Sequence, residues 1–124
     1  MKDSEIRNRA KVLAVTIFKI CNGIESGKGR SVLINQIVRS STSTAANIYE
    51  ANYASSRADF INKLKISLRE CYETEFWIDM LLSTECIDEA TANSLYQDYG
   101  ILRKMLVKSI NTAKANIKQN ENTK

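Results

Sequence analysis

Apolar side chains recur along the chain at alternating steps of three and four residues, the spacing that places them on one face of an α-helix. The first such segment covers residues 4–24. Its apolar face carries Ile6, Ala10, Leu13, Ile17, Ile20 and Ile24, and is widened by Ala14, Phe18 and Cys21. A face of this width is typical of a helix that packs into a core. The stretch 26–29, which contains two glycines, ends the segment.

Three further segments repeat this pattern. Residues 30–51 place Leu33, Ile34, Ile37, Ser41, Ala45 and Ile48 on one face. Residues 57–83 carry Phe60, Leu64, Leu68, Cys71, Ile78 and Leu82 in one register and Ser67, Thr74, Trp77 and Leu81 in a neighbouring one. Residues 88–117 carry Ala92, Leu95, Tyr99, Leu102, Leu106, Ile110, Ala113 and Ile117. The polar residues 118–124 are expected to fray.

The connections between the four segments are short, so consecutive helices should lie antiparallel as neighbours. Ser56, with Asp59 three residues later, is expected to cap the third helix, and Asp88 the fourth. The chain has no proline and only four glycines, which disfavours a many-stranded sheet. The sequence therefore predicts an all-α fold, an antiparallel up-down-up-down four-helix bundle that occupies residues 1–124 as one domain.

The third helix has apolar residues on more than one side, which is typical of a helix that is buried on more than one side. One interpretation is that the register is rotated and that Trp77 belongs to the core. A rotated register would not bury all the apolar residues of the stretch 76–82 in the core of one bundle. We therefore expect a homo-oligomer whose interface includes Phe76, Trp77 and Met80.

A polar stripe lies beside the apolar face of the second helix, formed by Gln36, Ser40, Ser43, Asn47 and Glu50 with Arg39 next to them. If the hairpin turns near residues 53 and 54, Arg39 lies opposite Glu70, and Gln36 lies close to Glu70 and Glu73. An arginine can hold two carboxylate oxygens at once, and a buried pair of this kind can fix the register of two helices. We predict a structural polar seam of Gln36, Arg39, Asn47, Glu50, Glu70 and Glu73.

The residue types do not favour catalysis. A carboxylate metal site built from Glu50, Glu70 and Glu73 is an alternative to the polar seam. However, di-iron bundles use Glu-x-x-His motifs, and this chain has no histidine. There is also no obvious nucleophile–base pair and no phosphate-binding glycine loop. We expect no enzyme activity, with no catalytic, cofactor-binding or metal-binding residues and no cofactor, although a hard-ion site made of oxygens alone stays open.

The cysteines indicate a reducing compartment. The chain has an odd number of cysteines, namely Cys21, Cys71 and Cys86, and they form no C-x-x-C motif. A disulfide framework is therefore not expected. Cys21 and Cys71 fall on apolar helical positions, where buried, unreactive thiols are the usual finding. Residues 1–10 lack the apolar region of a signal peptide, and the longest apolar run, residues 12–18, is too short to span a bilayer. These features predict a cytoplasmic protein with no membrane partner.

Four short motifs, in this order and spacing, resemble a bacterial family named for proteins encoded in intervening sequences of 23S ribosomal RNA genes. The motifs are Gln36-Ile-Val-Arg39-Ser-Ser-Thr-Ser43, Asn47-Ile-Tyr-Glu50-Ala, Asp59-Phe-Ile-Asn-Lys63-Leu and Leu68-Arg-Glu70-Cys-Tyr-Glu73-Thr-Glu-Phe-Trp77. The resemblance covers about residues 33–105. It implies a small, cytosolic, non-enzymatic four-helix bundle that assembles as a homopentamer around a central channel.

The chain is also similar to the accessory variability protein of diversity-generating retroelements, a basic pentamer that binds reverse transcriptase and nucleic acid. Two features depart from these relatives. The net charge is only +4, which weakens the likeness to the retroelement protein, and Tyr49 stands where the family usually has a small residue. The resemblance leaves the family's general function unsettled.

The charge is unevenly distributed along the predicted bundle. The start of the first helix, the end of the second, the start of the third and the end of the fourth should share one end. With each helix divided at its middle, this end has eleven basic and five acidic residues, a net +6, whereas the opposite end has seven and nine, a net −2. We name the end with the net charge of +6 the basic end. Its candidate nucleic-acid-binding residues are Arg7, Arg9, Lys11, Arg57, Lys63, Lys65, Lys108, Lys114 and Lys118.

In a cyclic pentamer, five basic ends would lie in one plane and form a positive surface for the phosphate backbone of RNA or DNA. Binding there should depend on salt and little on sequence. No platform for stacking single-stranded bases is expected, since Tyr53 is the only aromatic residue near this end apart from the core residue Phe60. The alternative is that these lysines are ordinary solvated charge and that the protein is a scaffold or adaptor subunit that binds a protein partner without contacting nucleic acid.

Overall fold

The structure, a computed structural model, describes the backbone of residues 2–123 and the side chains of residues 5–120. Within these residues the chain forms four α-helices: α1 (Lys2–Asn22), α2 (Lys28–Ala51), α3 (Arg57–Ser83) and α4 (Glu89–Thr123). Consecutive helices pack against each other, most extensively α2 against α3, and α1 meets α4 over the smallest contact. The all-α, antiparallel four-helix bundle predicted from the sequence is confirmed. No helix of the described residues has the length and apolarity needed to cross a bilayer.

Both predicted caps are present. The backbone N–H of Asp59 donates to Ser56 Oγ over 3.0 Å, and the carboxylate of Asp59 accepts from the backbone N–H of Ser55 over 3.1 Å. At the start of α4, the backbone N–H of Thr91 donates to Asp88 Oδ1 over 2.7 Å. Hydrogen bonds from the side chain and, second, the backbone of Thr91 lower the pKa of Asp88. These side chains satisfy donors that have no partner inside the helix.

Helix α4 continues to Thr123, past residue 117 where the sequence predicts its end, and the fraying of residues 118–124 stays a prediction. Lys124 lies outside the described residues. Core contacts end near Ala113, which is buried, and Ile117, which is half-buried. The residues that follow contain no glycine or proline, so nothing in them forces the helix to end. With 35 residues, α4 is about 52 Å long at 1.5 Å per residue, whereas the 21 residues of α1 give about 32 Å.

The core follows the predicted faces of α1 and α4, with one exception. Tyr99, Leu102 and Leu106 of α4 are almost completely buried, as is Ile17 of α1. Phe18 was expected to widen the core face of α1, but 54% of it is exposed. The reason is that α1 meets only two neighbours, and its contact with α4 is slight, so the flank that carries Phe18 is left uncovered.

The buried face of α3 lies between the two registers read from the sequence. Its buried residues are Ile61, Leu64, Ser67, Cys71, Thr74, Ile78 and Leu81. The face therefore includes two small polar residues, which the hydrophobic pattern alone did not place at its centre. Phe60, Leu68 and Leu82 consequently pack at its margins.

The cysteines of the core are free thiols, as predicted. Cys21 and Cys71 are buried, and Cys86 is half-buried. Burial raises the pKa of Cys21 to about 11 and that of Cys71 to about 12. The thiolate is the reactive form of cysteine, so both side chains are chemically quiet at neutral pH.

Candidate nucleic-acid interface

The antiparallel packing brings the four predicted segments of the basic end together. One groove is lined by residues from the start of α1, the start of α3 and the second half of α4. A second groove lies between the start of α1 and the end of α2. The nine candidate residues therefore surround one end of the bundle, on both sides of α1 and along the protruding part of α4.

Most cations of the basic end have no acidic partner among the described side chains. Among the described side chains, only Lys63 of the nine forms an ion pair, with its Nζ 3.3 Å from Glu50 Oε1. Asp59 uses its carboxylate at the N-terminus of α3, and Glu5 is the remaining described acidic residue of this end. With nine basic and three acidic residues whose side chains are described, the basic end keeps a net charge of +6.

Two of these cations lie close enough to repel each other. The positive charge of Lys65, on α3, lowers the pKa of Lys114, on α4. Both side chains are exposed, so water screens the repulsion. Two ammonium groups that face each other without a carboxylate between them form a local positive potential that an anion can relieve.

The α1–α4 groove has a volume of about 620 Å³ and combines basic and apolar walls. Arg9, Arg57 and Lys108 contribute cations, and Phe60 and Met105 contribute apolar surface. The Nε of Arg9 is buried and forms no hydrogen bond with the described residues. The groove exists because α1 and α4 pack against each other over so small a contact.

The groove between α1 and α2, which we name the tyrosine groove, contains a feature that the sequence reading missed. Tyr49 and Tyr53 lie in it with ring centroids 5.4 Å apart and planes inclined by 48°. The guanidinium carbon of Arg7 lies 5.7 Å from the centroid of the Tyr49 ring, within the range of a cation–π contact. The expectation that Tyr53 is the only aromatic residue near this end apart from Phe60 is therefore wrong, because Tyr49 joins it in an aromatic pair. The spacing of four residues between the tyrosines is the signal that could have found it.

The opposite end differs, because most of its arginines are in ion pairs. Arg30 lies 3.5 Å from Glu25, and Arg103 Nε lies 3.0 Å from Glu75. Arg39 contacts both Glu70, at 3.2 Å, and Glu73. The two ends thus differ both in net charge and in the fraction of their cations that is free to bind an external anion.

Part of the predicted polar seam forms around Arg39. Its Nε donates to Gln36 Oε1 over 3.1 Å, and its other nitrogens reach Glu70 and Glu73. The hydrogen bond from Arg39 lowers the pKa of Glu73, whereas burial raises that of Glu70. The Arg39 side chain is 46% exposed, so the expected burial of this pair is wrong: it lies at the rim of the α2–α3 contact.

Asn47 and Glu50 do not join Arg39. Asn47 donates to the backbone carbonyl of Ser43 over 2.9 Å, and Glu50 pairs with Lys63. The three carboxylates considered as a metal site are thus divided between two different cations. Among the described residues, no group of acidic, histidine or cysteine side chains has the arrangement of a metal site.

The buried part of the α2–α3 contact is made by small hydroxyl residues. Thr74 Oγ1 donates to Ser40 Oγ over 2.8 Å, and Ser67 Oγ donates to the backbone carbonyl of Thr44 over 2.7 Å. All four residues are almost completely buried. A side chain that bonds directly to the backbone of the facing helix shows that α2 and α3 approach closely here.

The predicted oligomer-interface residues are only partly uncovered. Phe76 is 52% exposed and packs edge-on against Trp77, with ring centroids 4.9 Å apart. Trp77 and Met80 are half-buried, and Ile78 and Leu81 of the same stretch belong to the core. Larger exposed apolar surface lies elsewhere, on Val12, Val15 and Phe18 of α1 and Val32 of α2.

Comparison with known proteins finds a matching family and a similar solved structure. The profile of the family described as 23S rRNA-intervening sequence protein matches residues 2–108. The chain is also similar to a protein of unknown function from the S23 ribosomal protein family of Bacteroides thetaiotaomicron VPI-5482, whose crystal structure is solved. The two are 40% identical, with a TM-score of 0.84, over 90% of this chain and 99% of that one. No curated protein matches the chain.

Proposed function

The chain belongs to the 23S rRNA-intervening sequence protein family, and from this premise we propose that it is a non-enzymatic, self-associating bundle that binds the phosphate backbone of RNA or DNA through its basic end. The family assignment and the helical fold leave the activity open, because the solved relative is itself of unknown function. The proposal therefore rests on the surface of this chain.

The proposal rests on the number of basic side chains at each end that form ion pairs. Eight of the nine basic residues at the basic end form no ion pair with a described carboxylate, whereas three of the four arginines of the opposite end are in ion pairs. Free lysines and arginines on one end can neutralise phosphates and release the counterions that surround a nucleic acid. Because lysine makes few directional contacts, such binding depends on charge density and little on base sequence.

Self-association would strengthen this binding. The exposed apolar residues of α1, together with Phe76, provide surface that a second copy could cover. If the copies are arranged around an axis, their basic ends face the same way and act on one polyanion together. Sedimentation of the free protein at micromolar concentration should show an oligomer; a stable monomer would contradict this part of the proposal.

The second candidate function is a scaffold or adaptor that contacts a protein. The α1–α4 groove favours it, because its apolar wall of Phe60, Ile101 and Met105 suits a protein segment better than a phosphate backbone. The two candidates differ in their response to salt. Backbone binding weakens steeply as salt rises, whereas docking on apolar surface does not.

Gel-shift titration with duplex RNA and duplex DNA at two salt concentrations tests the proposal. We expect binding to both duplexes at 50 mM salt. At 200 mM it should weaken by roughly a hundredfold, if about four phosphates are contacted. No shift of either duplex at 50 mM salt would overturn backbone binding and leave the scaffold function as the better account.

A further inference from the structure

The tyrosine groove exposes two aromatic rings to solvent at the end of α2. Tyr49 is 52% exposed and Tyr53 71% exposed. Their rings lie 5.4 Å apart and are inclined by 48°, so they form an open angle rather than a closed stack. The wall beside them is made by the small side chains of Ala45 and Ala46, and the groove has a volume of about 620 Å³. Part of each ring is therefore accessible to a flat ligand, while the Arg7 guanidinium lies over Tyr49.

The cations of the same groove define the charge of that ligand. Arg7 and Lys11 come from α1 and line the wall opposite α2. The guanidinium of Arg7, 5.7 Å from the Tyr49 ring, is close enough to hold a phosphate next to a group stacked in the groove. The only acidic lining residue, Glu50, is paired with Lys63. The groove thus offers aromatic faces and free positive charge, and its one negative charge is offset.

We propose that the tyrosine groove binds unpaired bases of single-stranded nucleic acid, which stack on Tyr49 and Tyr53 while Arg7 and Lys11 contact the adjoining phosphates. This inference rests on the proposed function and narrows its ligand. Every base presents a flat aromatic face, so stacking tolerates many sequences, and the positive groove follows the backbone. The bases of a duplex are stacked inside the helix and do not reach these rings. Loops, ends and single strands are therefore the ligands that use the groove.

Fluorescence anisotropy with a labelled 12-nucleotide oligo(dT) strand and a labelled duplex tests the inference. The variant Tyr49→Leu/Tyr53→Leu removes both aromatic faces but keeps apolar side chains that favour helix. We expect it to lose at least tenfold in affinity for the single strand and to change less than threefold toward the duplex. The variant Tyr49→Phe/Tyr53→Phe keeps the stacking faces and should bind oligo(dT) within threefold of the wild type. Far-UV circular dichroism checks that each variant is folded.

The outcomes separate this inference from the proposed function. If the wild type binds neither oligo(dT) nor the duplex, the proposed function fails. If the wild type binds both and the leucine variant binds oligo(dT) equally well, only the stacking role is overturned. Equal losses for the two ligands would also overturn it, since a duplex cannot use the rings. A changed sedimentation coefficient of the leucine variant would indicate that a second copy covers the groove, which would contradict an open base-binding site.

Discussion

The variant Lys65→Glu/Lys114→Glu is expected to bind duplex RNA about a hundredfold more weakly than the wild type at 50 mM salt. Each lysine that neutralises a phosphate contributes roughly tenfold at this salt concentration, and glutamate adds repulsion. The two lysines, on α3 and α4, lie close enough to repel each other, and neither forms an ion pair with a described carboxylate. Anisotropy titration with a labelled duplex measures the loss.

The matched control is Lys19→Glu/Lys28→Glu. Both lysines are exposed at the opposite end, and both variants bring the formal net charge from +4 to zero. A non-specific effect of net charge would lower the affinity of the two variants for duplex RNA equally. We expect the affinity of the control to stay within about threefold of the wild type. Equal losses of affinity would show that charge acts without a defined binding surface.

The folding stability of the first variant should change little, because one pair of like charges replaces another at an exposed site.

The variant Ser67→Leu is expected to lower the free energy of unfolding by about 2–4 kcal/mol. Ser67 is completely buried and donates a hydrogen bond to the Thr44 carbonyl of α2. Leucine removes that bond and adds three carbons where α2 and α3 approach closely. Urea unfolding followed by circular dichroism measures the change.

Two further variants separate the causes. Ser67→Ala removes the hydroxyl without adding volume, so it should cost only about 1 kcal/mol. Asn62→Leu places the same leucine at an exposed site of α3 and should lie within about 0.5 kcal/mol of the wild type. If Ser67→Leu proved as stable as Asn62→Leu, the close approach of α2 and α3 at the hydroxyl residues would be wrong.

The sequence was sufficient to predict the four helices and their antiparallel order, because each apolar face persists over several turns and the connections are short. The same regularity placed Arg39 opposite Glu70, since an antiparallel hairpin fixes which residues are opposed. How deeply the Arg39–Glu70 ion pair is buried could not be predicted. Whether an arginine lies at the centre of a contact or at its rim depends on how close the helices come, and here small side chains such as Ser40 and Thr74 occupy the centre.

The observed burial of single residues differs from the predicted burial where it depends on how the helices pack against each other. Ser67 and Thr74 are buried because they are small and can donate to the facing helix, which a hydrophobicity pattern does not register. Phe18 is exposed because α1 is only weakly covered by α4, a property of packing between helices that are distant in sequence.

The tyrosine groove was missed for the same reason. Tyr49 and Tyr53 are four residues apart in the sequence, but their significance depends on Arg7 and Lys11, which reach them from another helix. Within the basic end, the charge could be read from the sequence, whereas the division into two grooves with different chemistry could not.

The most direct test of the central claim is lysine footprinting of the wild-type protein with bound duplex RNA. Acetylation of each lysine is quantified by mass spectrometry with and without the duplex at low salt. Exposed lysines lie at both ends, so the protein contains its own control. Binding through the basic end predicts protection of Lys11, Lys65, Lys108, Lys114 and Lys118, with unchanged modification of Lys19 and Lys28. Protection that is equal at the two ends, or strongest at Lys19 and Lys28, would contradict it.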